Sequence, residues 1–458
     1  MRVAIVGAGP AGFFLAERLL ARATPSVGVD MYERLPAPHG LVRFGVAPDH
    51  EKIKTVTRSF DAVASRPGFR YFGNVEFGAE VALRDLARHY HAIAFTTGAQ
   101  TDRRMGIPGE DLARSHSATE FVAWYNGHPR FRDLAFDLSV ERVAVVGVGN
   151  VAVDVARMLC RTPVELATTD VADYALEALA RSRVREVWLL GRRGPAQAAF
   201  TLPEVRELGE LDGCDVRALP GDVALDPLSA AELERAEDRA LRKKVELLQA
   251  YAAREPAGKS KRLTLRFLVS PTSLEGDAEG RVCGMTLVRN RLEADGAGSL
   301  RAVATDRIER LPVELVFRSV GYRGVPLPDI PFDEKTGTIP NAAGRVLDPN
   351  PQTPKPIPGL YVAGWIKRGP SGVIGTNKPD AAETADAMVA DFEAGRLPAP
   401  AEPDPAAIER LLRERQPCLI TFDDWKMLDR IESERGQAGG RPRVKMTEAE
   451  IMAKLGCV

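Results

Sequence analysis

The chain has 458 residues, enough for two or three domains of roughly 150 to 200 residues each. Its 45% hydrophobic and 27% charged fractions are those of an ordinary globular protein and exclude a disordered or fibrous one. Lys+Arg 62 against Asp+Glu 63 gives a formal charge of −1, without the positive excess of a protein that lives on nucleic acid.

In chain order, Val3 to Val6 is a short β-branched run, the pattern of a strand buried on both faces. It enters Gly7-Ala-Gly9-Pro-Ala-Gly12, then a predicted helix from Phe13 to Arg22 and a strand from Val27 to Tyr32 that ends in Glu33. The apolar stretch Val3 to Ala16 is fourteen residues, short of the ~20 that span a membrane, and its glycines and Pro10 do not suit a signal peptide. No membrane association is expected. Ala92 to Gly98 reads as another strand. A second opening of the same kind follows: strand Arg142 to Val146, turn Gly147-Val-Gly149-Asn-Val-Ala152, helix Ala152 to Cys160. The next strand, Glu186 to Leu190, ends in Gly191-Arg192-Arg193, after an insertion of about Arg161 to Arg183 without evident chemistry. Ala230 to Tyr251 reads as one long solvated helix. Leu315 to Gly321 reads as the return crossing that answers Ala92 to Gly98. Further on, Pro398 to Pro405 reads as a stiff linker, Ala406 to Arg415 as a helix, and Thr447-Glu-Ala-Glu450 as the capping box of a last short helix.

Each glycine turn has a mechanical reading. Gly7 permits a tight turn, Gly9 lets the backbone approach a pyrophosphate, and Gly12 lets helix and strand pack closely, with helix N–H groups facing the phosphates. Glu33, at the end of the next strand, can accept hydrogen bonds from both hydroxyls of an adenosine ribose. The second turn ends differently. A carboxylate would repel a 2′-phosphate, whereas Arg192 and Arg193 can clamp one, so this site should prefer NADP(H) over NAD(H). The first turn then takes a dinucleotide without that phosphate. FAD is the economical choice, because two nicotinamide sites give a hydride no reason to move between them.

The expected fold is therefore α/β, with two Rossmann-like dinucleotide-binding domains. The FAD-binding domain is expected to be discontinuous, residues 1–103 and 323–458, with an NADP-binding domain of residues 104–322 inserted in it. A third glycine-rich turn, Gly359 to Gly375, carries Trp365 and points to backbone close to the flavin ring. The five cysteines form no CxxC, which excludes a flavin disulfide reductase, a local iron–sulfur site and a cysteine-ligated zinc. His89 and His91 lack accompanying ligands, so no metal site is expected.

At these residues the sequence resembles NADPH–ferredoxin reductases of the adrenodoxin-reductase type, and most of all their bacterial single-chain form. Besides the two turns, the resemblance rests on Gly40-Leu-Val-Arg43, Gly45-Val-Ala-Pro-Asp-His50, Ile107-Pro-Gly-Glu-Asp111, Trp124-Tyr-Asn126, Gly191-Arg-Arg-Gly-Pro195, Phe200-Thr201, Arg318-Ser-Val-Gly-Tyr-Arg323, Gly364-Trp-Ile-Lys-Arg-Gly369 and Gly375-Thr-Asn377. It implies FAD contacts at Ala11, Glu33, Leu41, Phe77, Trp365, Gly372, Val373 and Ile374. It implies NADP contacts at Arg103, Asn150, Val151, Arg192, Arg193, Glu204 and Gly372. It also places His50 and Glu207 close to the nicotinamide, in an electrostatic and positional role. Two residues depart from the family pattern: Ala11 stands for a serine, and Phe77 for a smaller aliphatic residue.

The implied activity is transfer of a hydride from NADPH to FAD and of single electrons to a separate, acidic ferredoxin-type protein, in a bacterial cytoplasm and without a fused ferredoxin module or a leader. Arg235, Arg239, Arg242, Lys243 and Lys244 are candidates for docking that partner transiently. Two alternatives stand beside this: a redox sensor that binds both nucleotides without turnover, and an NADPH-linked flavoprotein subunit of a larger reductase, such as a glutamate synthase small chain. The latter class carries an N-terminal cysteine-rich region that this sequence lacks.

Overall fold

The computed structural model describes residues 1–296, 298–350 and 352–457. The chain forms two compact units. The first comprises Met1–Val46, His50–Thr101 and the chain from Tyr322 onward; the second comprises Ala47–Asp49 and Asp102–Gly321.

The first unit is built on a seven-stranded sheet. Its spatial order is Asn341–Ala342, Arg345–Leu347, Pro356–Val362, Ala92–Phe95, Arg2–Val6, Gly28–Glu33, Phe69–Gly73. The last five strands are parallel, and the first two form an antiparallel edge. The strand period of two divides the core. Val3, Ile5, Val29 and Met31 pack on one face with Phe13 and Leu15 of the helix Pro10–Leu20 and with Ala381, Ala385 and Met388 of the helix Asn377–Glu393. Ala4, Val6, Tyr32 and Phe95 face the other way, with Leu86, Ile366 and Ile408. Because both faces are covered, the strands read as continuous apolar runs in the sequence. The helix after the proline-rich stretch is Pro405–Arg415, with Asp404 capping it by accepting the Ala406 N–H, and Thr447 caps the last helix, Glu448–Lys454.

The second unit has a six-stranded, wholly parallel sheet, ordered Ser115–Ser117, Leu315–Arg318, Arg142–Val146, Glu186–Leu190, Lys261–Arg266, Cys214–Ala218. The return segment Leu315–Arg318 is thus an interior strand of this sheet. One face packs Val143, Val145, Val187 and Leu189 against the helix Asn150–Cys160. The opposite face packs Ala144, Val146, Leu190 and Val316 against Val269, Met285 and Leu287. Those last residues belong to a three-stranded antiparallel sheet, Val269–Gly276, Val282–Ala294 and Leu300–Leu311. The expected insertion after the second turn folds as the short helices Pro163–Leu166 and Asp173–Ala180.

One expected element differs. The single helix over Ala230–Tyr251 is two helices, Pro227–Arg235 and Arg239–Ala253. Asp226 and Asp238 each accept N–H groups of the turn that follows, so a second N-cap, Asp238, interrupts a run whose composition alone is continuously helical. Lys244 is also buried: its ammonium donates to the Ala198 carbonyl at 2.6 Å and lies over the Phe200 ring. It therefore leaves the candidate docking surface, while Arg235, Arg239, Arg242 and Lys243 are exposed.

Candidate functional site

In the first unit the turn after Arg2–Val6 is held by the Gly7 N–H donating to the Tyr32 carbonyl and by the Thr96 hydroxyl donating to the Gly7 carbonyl. Gly7 sits at φ +112°, and a Cβ there would lie 2.8 Å from the Thr96 carbonyl oxygen. A Cβ at Gly12 would lie 2.3 Å from the Gly7 oxygen, which is the close packing that demands glycine. Gly9 is different: a Cβ there would meet no atom within 4 Å, and no side chain caps the helix that it begins. The open Cα and uncapped N–H groups fit a pyrophosphate.

Glu33 is buried and accepts the Ala8 N–H at 3.0 Å and the Leu35 N–H at 3.1 Å, one on each carboxylate oxygen. Each oxygen keeps acceptor capacity for a hydroxyl. Burial, the dominant influence, raises the carboxyl pKa despite those two donors. Leu41 begins the short helix Leu41–Phe44, next to the turn: the His39 N–H donates to the Ala8 carbonyl, and a Cβ at Gly40, φ +49°, would lie 3.1 Å from the Gly9 Cα.

The third glycine turn also reaches the first. Pro356–Val362 pairs with Ala92–Phe95, and Gly364, at φ +80°, abuts the helix so closely that a Cβ there would lie 2.6 Å from that of Ala11. The Gly364 N–H donates to the Asp380 carboxylate at 2.5 Å. Trp365 donates its indole N–H to the Ser371 carbonyl, and its ring lies 5.5 Å from that of Tyr322. Gly372 sits at φ +78° in the exposed loop with Val373, and Ile374 begins a short 3₁₀ turn. Phe77 lies in the core, edge-on to Phe95 at 5.2 Å between ring centres.

In the second unit Gly147, at φ +132°, packs against Ser319, and a Cβ at Gly149 would meet nothing within 4 Å. Gly149 is the uncapped start of the helix Asn150–Cys160. The Asn150 carboxamide oxygen accepts the Thr201 N–H at 2.9 Å, while the Val148 carbonyl accepts from Ala199 and Phe200. Val151 follows, half-buried. Arg192 is exposed and Arg193 half-buried, and neither guanidinium has an ion-pair or hydrogen-bond partner among the described residues. Two such cations on one turn fit a 2′-phosphate. Arg103 is exposed, its N–H donating to the Gly321 carbonyl.

Glu204 and Glu207 lie on the helix Leu202–Leu208 and share a partner that the sequence reading missed. Arg157 is fully buried. It donates to Asp49 at 2.6 Å, Asp154 at 2.7 Å and Glu204 at 3.2 Å, and lies 3.8 Å from the Glu207 carboxylate. Burial opposes its charge, but Asp154 and Asp49 outweigh that and hold its pKa well above the ordinary guanidinium value. Arg161 donates to the same Asp49. Asp154 and Arg157 stand three residues apart on one helix, but no local spacing ties either to Asp49 or to Glu204. His50, the next residue in sequence, begins the helix Glu51–Lys54 in the first unit. His89 and His91 bond to backbone: His89 Nδ1 lies 2.9 Å from the Glu402 carbonyl, and His91 Nδ1 accepts the Arg2 N–H.

Two dinucleotide-type turns, one closed by a carboxylate and one by an arginine pair, define a pyridine-nucleotide-linked flavoprotein oxidoreductase. Residues 1–187 match the family model of the pyridine nucleotide-disulphide oxidoreductases. The chain is 45% identical over 462 residues to the NADPH-ferredoxin reductase FprA of Mycobacterium tuberculosis, covering 99% of this chain and 98% of that one. It is 41% identical to the mitochondrial NADPH:adrenodoxin oxidoreductase of Bos taurus, covering 99% and 92%. A solved structure of Mycobacterium tuberculosis FprA in complex with NADPH has a TM-score of 0.91 to it at 44% identity, covering 100% and 99%. The chain belongs to the NADPH–ferredoxin and adrenodoxin reductase family. No helix among the described residues is long and apolar enough to cross a membrane.

Proposed function

We propose that the protein moves a hydride from NADPH to FAD and passes the electrons singly to a ferredoxin-type iron–sulfur protein. The observation that carries this is the contrast between the two strand ends, Glu33 in the first unit and Arg192 with Arg193 in the second. The first unit is the FAD-binding one: N–H groups at the start of Pro10–Leu20 orient the pyrophosphate, and Glu33 accepts from the ribose. Ala11, Leu41, Phe77, Trp365 and Gly372 to Ile374 complete that contact set. Of these, Phe77 is committed to the core against Phe95.

The second unit is the NADP-binding one. There the start of Asn150–Cys160 faces the pyrophosphate and the arginine pair holds the 2′-phosphate, with Arg103, Val151 and Glu204 as further contacts; Gly372 is a further NADP contact on the family resemblance. Asn150 serves by fixing Thr201. Bound FAD supplies the chemistry that accepts two electrons together and releases them one at a time. His50 and Glu207 align the nicotinamide and set the local field, because a hydride transfer needs orientation more than a proton donor. The enzyme works in the cytoplasm, and its partner docks transiently on Arg235, Arg239, Arg242 and Lys243.

Two measurements test this reading. Rapid mixing with NADPH should bleach the flavin band; an unchanged spectrum would leave a nucleotide-binding sensor instead. Changing Arg192 and Arg193 to Ala should weaken NADPH by about 100-fold or more and NADH by less than about threefold, since each charge-assisted phosphate contact is worth ~1.5–3 kcal/mol. Equal losses for both nucleotides would contradict the assignment.

A further inference from the structure

All three backbone carbonyls of the Gly191-Arg192-Arg193 turn are tied to residues that follow the strand Lys261–Arg266. The Val269 N–H donates to the Gly191 carbonyl at 3.0 Å, and the Leu268 N–H to the Arg193 carbonyl at 3.1 Å. The middle carbonyl, that of Arg192, accepts from the Asn290 side-chain amide at 2.8 Å. Asn290 is only 6% exposed. The same amide donates to the Ser270 hydroxyl at 2.8 Å, and its backbone N–H donates to the Leu268 carbonyl at 2.7 Å.

Two departures from regular backbone accompany this arrangement. Leu268 sits at φ +57°, which a branched side chain rarely adopts. The pairing of Val282–Ala294 with Leu300–Leu311 shifts register between Val288 and Asn290, a bulge of the kind that re-aims a side chain. Strain and bulge both converge on a turn whose own two side chains have no partner among the described residues.

We propose that Asn290 is the positioning residue for pyridine-nucleotide selection. By holding the Arg192 carbonyl it fixes the directions in which the Arg192 and Arg193 side chains leave the backbone, and so sets the preference for a 2′-phosphorylated adenosine. The proposal rests on the reading of that arginine pair given above. It adds a residue 98 positions away in sequence whose buried side-chain amide donates to protein acceptors, the Arg192 carbonyl and the Ser270 hydroxyl. Its effect should therefore appear in discrimination between ligands and not in a general loss of binding.

The test uses the FAD-loaded protein and calorimetric titration with two fragments, adenosine 2′,5′-bisphosphate and adenosine 5′-monophosphate, so that no turnover is read. Asn290→Asp keeps the shape but turns an acceptor toward the Arg192 carbonyl. It should weaken the bisphosphate about tenfold and the monophosphate by less than about twofold, one buried hydrogen bond being worth roughly that factor. Asn290→Ser, too short to reach, carries the same comparison should the aspartate lower the melting temperature. Ser270→Ala should give a smaller loss with the same selectivity. Equal weakening of both fragments, or of neither, overturns the proposal. Arg192→Ala with Arg193→Ala separates the two levels. If that double variant keeps full discrimination, the reading of the pair falls and this proposal with it; if it loses discrimination while the Asn290 variants keep theirs, the positioning role alone falls.

Discussion

Arg157 offers one guanidinium to Asp49, Asp154 and Glu204, all buried or nearly so, with Glu207 just beyond. A buried ion cluster contributes little net stability as a whole, but removing the cation that Asp49, Asp154 and Glu204 share leaves buried carboxylates with less compensating charge. Arg157→Met should therefore cost roughly 3–5 kcal/mol, whereas Glu204→Gln, which removes one of several acceptors, should cost only about 1–2 kcal/mol. Chemical denaturation of the two variants measures this, and a loss below ~1 kcal/mol for Arg157→Met would show that the cluster is not under this strain. The cluster also marks a limit of sequence reading. Glu204 and Glu207 come from the family resemblance and Asp49 stands in one of its motifs, but Asp49 and Arg157 lie 108 positions apart, and no periodicity relates them. Asn290 is hidden for a similar reason: a bulge that aims a side chain leaves no compositional trace.

The two glycine turns place matched demands on two helices. At Gly12 the missing Cβ serves the fold, since any side chain would press into the Gly7 carbonyl. At Gly9 and Gly149 no protein atom demands it: both residues have ordinary extended backbone, φ −87° and −99°, and both face open space, the condition that the proposed pyrophosphate contacts require. Gly9→Ala should accordingly melt like the parent yet be purified with little flavin, and Gly149→Ala should keep its flavin yet bind NADPH at least about tenfold more weakly. Absorbance near the flavin band and nucleotide titration read the two effects, and full flavin content in Gly9→Ala would refute the distinction. These turns were legible because glycine, strand and helix signals fall within a dozen residues. The helix break at 236–238 was not, because Ala, Leu, Glu, Arg and Lys run through it and only the caps Asp226 and Asp238 betray two starts. Lys244 was misread with it, since an amphipathic helix shows which residues are charged but not which charge turns inward to a carbonyl.

For the whole molecule the near-zero formal charge means that attraction of an acidic partner must come from local asymmetry. Arg242→Glu with Lys243→Glu should raise the KM for a ferredoxin-type acceptor about five- to tenfold at low ionic strength, and leave reduction of a small dye unchanged. Unaltered acceptor kinetics would remove this surface from the docking reading. A second consequence follows from the order in which the segments are written along the chain. Ala92–Phe95 pairs with Pro356–Val362, yet the stretch Asp102–Gly321 is translated between them. At ~5–20 residues per second, those roughly 220 residues take about 10–40 s to synthesise. On the ribosome the inserted unit is therefore finished first, while the earlier half-sheet waits with one edge unpaired, and the pace of elongation sets how long that edge stays open to aggregation.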